Sequence, residues 1–147
     1  MNSPTKPIDQ RLILFYKGHI SALVLFAVHH QNCVVFPKAL PVLSSLHEDS
    51  LTNPSTVILH PASLLQEVAR SYGWDKDFLK LESGFCESVA TPSGNIQVYL
   101  AGFNCLDPPH SQLHSNQCLL KTLPELRRQP PTEIELLRRA YVRLMEG

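Results

Sequence analysis

Residues 64–74 read LLQEVARSYGW, and the reading of this stretch decides how the rest of the chain is arranged. Leu64, Leu65, Val68, Ala69 and Tyr72 recur at i, i+1, i+4, i+5 and i+8, which puts them on one helical face turned toward a core. Pro61 suits the first turn, where its missing N–H would lack a partner anyway. Gly73 is the natural stop, because a helix commonly ends on a left-handed residue and glycine takes that conformation without steric cost. The spacing predicts a helix over 62–73, with WDKD (74–77) as its exit loop.

Upstream, TVILH (56–60) is apolar and β-branched and predicts a short strand. ISALVLFAV (20–28) reads as a buried strand, HHQN (29–32) as a polar turn, and CVVF (33–36), stopped by Pro37, as a partner strand; together they predict a β-hairpin over 20–36. RLILFY (11–16) is a short apolar run broken by Gly18 and His19. Residues 1–10 carry two prolines and no apolar pattern, so they read as a flexible lead-in to a single domain. Residues 37–56, rich in proline and serine, form a long connection with a short helical turn around 41–47.

Downstream, FLKLESGFCESVA (78–90) reads as extended with a kink at Gly84, and TPSGN (91–95) as a turn. IQVYLAGF (96–103) alternates: Ile96, Val98 and Leu100 share one side, Gln97, Tyr99 and Ala101 the other. Asp107-Pro108-Pro109 ends that strand, and 110–131 is polar. A last helix opens at Thr132, with Glu135 completing a capping box and Ile134, Leu137, Tyr141 and Leu144 as its buried stripe. The expected architecture is α/β: a mixed β-sheet sandwiched by helices, with a C-terminal helix.

Bulk properties narrow the function classes. The 147 residues match one domain, and 44% hydrophobic with 18% charged residues is a globular balance rather than a disordered one. Lys plus Arg and Asp plus Glu stand at 13 each, so no net field draws the chain to nucleic acid or acidic membranes, and little repulsion opposes self-association. The longest apolar run, 20–28, is too short to span a bilayer. Cys33, Cys86, Cys105 and Cys118 form no CxxC pair, and MNSPTKPIDQ has no apolar signal core, so the expectation is reduced, mostly buried thiols in a cytoplasmic protein.

Three clusters invite chemistry. His29, His30 and Cys33 could hold a soft metal, but three ligands in a turn read first as a polar turn with a buried thiol. His110 and His114 have helical i, i+4 spacing but no acid to complete HExxH. The basic set Arg127, Arg128, Arg138, Arg139 and Arg143 is interleaved with Glu125, Glu133, Glu135 and Glu146, which favours a solvated helix face or a homodimer contact through the C-terminal helix.

The order hairpin, long loop, strand, helix ending in glycine and extended hairpin resembles the Nudix hydrolase family over 20–103. That family's box reads Gly, five residues, Glu, seven residues, then Arg-Glu-aliphatic-any-Glu-Glu-any-Gly-aliphatic. Gln66 stands at the Arg, Glu67 matches the Glu, Val68 the aliphatic position and Gly73 the Gly. Arg70 and Ser71 replace the Glu-Glu pair, Trp74 is apolar but not aliphatic, Ile58 stands at the upstream Glu and Thr52 at the first Gly. The box is therefore degenerate.

The resemblance implies a Nudix-like fold and, in the family, a helix whose carboxylates hold Mg2+ against a diphosphate. Hard cations need oxygen ligands, which a cation and a hydroxyl in place of the acidic pair do not supply. The implied function is a Nudix-like domain without the standard metal-dependent site, needing no cofactor, that binds a nucleotide, another phosphate-bearing ligand or a protein partner. Glu67 is the candidate catalytic residue, and Glu82, Glu87 and Arg70 are candidate ligand-binding residues. The alternatives are an active diphosphate hydrolase with displaced carboxylates, using Mg2+, and a small dimeric adaptor without ligand.

Overall fold

The computed structural model describes residues 9–19, 22–29, 33–41, 44–46, 61–92 and 94–146. Strands β1 (Asp9–Lys17), β2 (Val24–Val28), β3 (Val35–Phe36) and β4 (Ser45–Leu46) precede helix α1 (Ala62–Ser71). Strands β5 (Leu79–Thr91) and β6 (Gly94–Phe103), helix α2 (His110–His114), strand β7 (Leu119–Lys121), a 3-10 turn at Pro124–Leu126 and helix α3 (Pro131–Glu146) follow. The strands form one mixed sheet in the order β4-β5-β6-β1-β2-β7, with β3 also paired to β1. β1 and β6 run parallel, and the other described pairs are antiparallel. The fold is mixed α/β with helices on both faces of the sheet, as the sequence implies.

The alternation in β6 divides the core. Ile96, Val98 and Leu100 pack with Ile13, Phe26 and the α3 residues Leu136, Leu137 and Ala140. Tyr99, Ala101 and Phe103 pack with Leu12, Leu14 and the α1 residues Leu64, Val68 and Ala69. A sheet covered on both faces buries both sides of its central strands, so β1 and β2 read in sequence as unbroken apolar runs. Each such side chain removed from water contributes about 1.5–3 kcal/mol.

Asp9 and Gln10, expected in the lead-in, already belong to β1 and pair with β6, while residues 1–8 lie outside the described residues. The N-terminal pairing departs from the expected hairpin. RLILFY, with no alternation to advertise it, is the sheet's central strand. β2 pairs with β1 (Phe15 opposite Phe26), and β3 also pairs with β1 (Ile13 opposite Val35), so 24–28 and 33–36 lie end to end along one neighbour. They touch each other at the His29–Cys33 bridge. The Gly18 N–H bonded to the Leu23 carbonyl at 2.9 Å closes the turn that makes β1 and β2 the true hairpin. Two unbroken apolar runs carry no pattern that fixes which partner each takes.

Helix α1 follows the sequence closely. Leu64, Val68 and Ala69 are buried, and Pro61 is its N-cap residue. Gly73 has φ +72°, its N–H bonds the Arg70 carbonyl at 3.1 Å, and the Trp74 N–H bonds the Ala69 carbonyl at 2.8 Å. That pair of bonds is a Schellman motif. Trp74 then stacks on Tyr72 at 4.8 Å and meets Phe78 and Phe103 edge-on. The strand expected at 56–60 lies outside the described residues. Within the helical turn expected around 41–47, Ser45 and Leu46 instead pair with β5 as a strand.

Helix α3 is present but turned relative to expectation. Its buried residues are Glu133, Leu136, Leu137, Ala140 and Leu144, while Ile134 and Tyr141 are half-buried. The capping box does not form: the Thr132 hydroxyl donates to the Ser44 carbonyl at 2.8 Å, and the Glu135 carboxylate turns to Arg139 at 3.3 Å. The polar stretch 110–131 holds α2, β7 and the 3-10 turn, which its composition did not announce.

Candidate functional site: the groove between β5 and α3

The kink expected at Gly84 is a β-bulge, where the β5–β6 register shifts between Leu81 and Cys86. Gly84 has φ +87°, a conformation that side chains other than glycine rarely adopt. It also lies under the Arg143 guanidinium: a Cβ at Gly84 would come within 2.6 Å of Arg143 Nη2. That nitrogen donates to the Ser83 carbonyl at 2.9 Å, so the bulge and the last turn of α3 are fitted to each other. Arg143 Nε is buried with no partner among the described residues.

One turn earlier, Arg139 Nη1 donates to Glu87 at 2.6 Å, and its Nε donates to Glu135 at 3.3 Å. Glu87 is the leading influence on Arg139 and holds its pKa above the ordinary arginine value, against burial. Arg138 lies 3.8 Å from Glu135 and is largely exposed. These side chains, with Phe85 and Val142, line an open groove of about 710 Å³. The groove gathers three guanidiniums and two carboxylates.

The expected site residues are divided between the two faces. Glu67 and Arg70 are exposed on α1, whose other face packs on the Tyr99 side of the sheet. Glu87 lies opposite Val98, on the α3 side, in its ion pair with Arg139. Glu82 is half-buried within the bulge segment. The structure brings Glu87 to a cation and does not bring it to Glu67. The neighbours of Glu67 along α1 are Gln66, Arg70 and Ser71, an amide, a cation and a hydroxyl with no second carboxylate, which does not fit Mg2+. Among the described residues no three His, Cys, Asp or Glu side chains are grouped to hold a metal.

The other candidates resolve individually, apart from His30, which lies outside the described residues. His29 is buried with Nε2 3.1 Å from the Val35 carbonyl, and Cys33 is buried against Glu133. Burial pushes the Cys33 thiol up to about 11, so it is not a thiolate nucleophile at neutral pH. Cys86, expected to be buried, is exposed and donates to Gln97 Oε1 at 3.1 Å; burial of part of its environment raises its pKa too. His110 and His114 do fall on one short helix, α2, and border a second cleft of about 470 Å³ above Cys118.

Of the apolar residues of α3, Val142 and Met145 are 51% and 44% exposed and Tyr141 is half-buried, whereas Leu137 and Leu144 pack in the core against the sheet. No described helix is long and apolar enough to cross a membrane. The groove's arginines were legible in the sequence as a basic cluster, but the bulge that receives them was visible only as an isolated glycine. Comparison with known proteins assigns no family: no family model matches the chain, and no curated protein matches it.

Proposed function

We propose that this chain is a Nudix-like domain that binds a phosphate-bearing ligand and does not hydrolyse it by a helix-held metal. One observation carries the reading: Arg138, Arg139 and Arg143 converge on one groove, while Glu67 and Glu87 lie on opposite faces of the sheet. Guanidinium forks match the paired oxygens of phosphates as they do those of carboxylates, so a groove with three of them can take a phosphate. Metal-assisted hydrolysis instead needs several carboxylates around one ion.

The test uses ADP with Mg2+ at low salt. The expected result is thermal stabilisation without release of phosphate or AMP; at a hundredfold excess over Kd, a ligand bound only by the folded state adds about 2.7 kcal/mol. Mg2+-dependent cleavage abolished by Glu67→Gln would overturn the proposal in favour of the hydrolase. Absence of stabilisation by ADP would overturn it in favour of an adaptor.

A further inference from the structure

The groove between β5 and α3 is larger and less polar than a lone phosphate requires. Its volume of about 710 Å³ falls in the range of small-molecule sites, and Phe85 and Val142 line it beside the arginines. The guanidiniums are not equivalent. Arg139 already has two carboxylate partners, Glu87 and Glu135. Arg143 has the neutral Ser83 carbonyl, and its Nε has no partner among the described residues.

We infer that the groove takes a phosphate monoester or diphosphate joined to an apolar or aromatic group, that Arg143 anchors the phosphate, and that Glu87 competes with the ligand for Arg139. This inference rests on the phosphate-binding reading and specifies its site. A carbonyl satisfies a donor without neutralising the cation, so Arg143 keeps its charge for an incoming anion, whereas the charge of Arg139 is offset. The Glu87 carboxylate occupies the guanidinium edge that a phosphate would use, and its own charge repels the ligand. The ligand's organic part lies against Phe85 and Val142, and burial of that apolar surface favours an organophosphate over a bare inorganic anion.

Calorimetric titration of the full chain with ADP and with inorganic pyrophosphate tests all three parts. ADP is expected to bind more tightly than pyrophosphate. Arg143→Gln weakens ADP by about tenfold or more, the scale of one lost charge-assisted contact. Glu87→Gln tightens ADP severalfold. Arg143→Lys, which keeps the charge but not the fork, falls between wild type and Arg143→Gln, and it serves where the glutamine variant disturbs the bulge. Equal affinity for the two probes, or weaker ADP binding by Glu87→Gln, overturns the inference. Binding that survives both groove variants and is lost with Arg70→Gln also overturns it, while leaving the phosphate-binding reading intact. If neither probe binds, that reading falls as well.

Discussion

The two faces of the sheet are packed by different chemistry. On the α1 face, the polar groups held against the sheet are neutral: Gln97 accepts from the Cys86 thiol, and Trp74 sits among Tyr72, Phe78 and Phe103. On the α3 face they are charged. Arg11, on the Ile13 side of β1, is buried against Asp9 and the Lys38 carbonyl; Glu133 is buried at the Cys33 thiol and the Val34 N–H; and Arg139 meets Glu87. Burial alone would raise the Asp9 pKa, but hydrogen bonding and charge from Arg11 outweigh it and hold the carboxyl below its usual value. Helix α1 thus has the quieter face, and the charges capable of binding an anion gather behind α3.

Four measurements would break or sharpen that contrast. The largest effect belongs to the packing beneath α3: Leu137→Ala, at a fully buried position, is expected to lose about 2–5 kcal/mol on chemical denaturation. Leu64→Ala on α1, at 7% exposure, should lose less. Equal losses would mean that the two helices are equivalent anchors.

Gly84→Ala comes next, at about 1–3 kcal/mol, because φ +87° is strained for alanine and the added methyl meets the Arg143 guanidinium. The same change should weaken ADP binding. A variant as stable as wild type would separate the bulge from α3.

Glu133 sharpens the electrostatic side. Burial, the largest influence, raises its pKa above 4.5, against the lowering hydrogen bonds from the Val34 N–H and the Cys33 thiol. Just above that pH the folded state keeps a proton that the unfolded chain has released, so stability falls as pH rises through the window and stays lower beyond it. Glu133→Gln removes this fall and should raise Tm at pH 7 by about 2–4 °C, the shift produced by roughly 1 kcal/mol in a chain of this size. A variant less stable than wild type at pH 7 would show that the ionised carboxylate is stabilising. The smallest effect is expected for Glu67→Gln, on the exposed side of α1: a stability change within about 0.5 kcal/mol. A larger loss would reveal a partner for this carboxylate.

How much of this was legible followed from how local each signal is. The end of α1 needs only Ala69 to Trp74, and its sequence pattern named Gly73 correctly. The alternation in β6 announced both halves of the core, because each half uses one parity of a single strand. The place of β1 was hidden for the opposite reason: a strand buried on both sides has no polar side to reveal its register. The turn of α3 is not legible in the sequence because Glu133, a charged residue, is buried, while Tyr141 is only half-buried. The groove joins Glu87 to Arg139, 52 positions apart in the chain, and no local pattern predicts that meeting.

The parallel register that sets Asp9 beside Ile96 and Phe15 beside Gly102 has a kinetic consequence. The first described strand waits for one of the later ones before the middle of the sheet can close, and closing so long a loop carries an entropic cost before any contact compensates it. During synthesis the apolar run at 12–16 therefore emerges well before its main partner. Fragments that end ahead of residue 94 expose it, and aggregation is the outcome to expect of them.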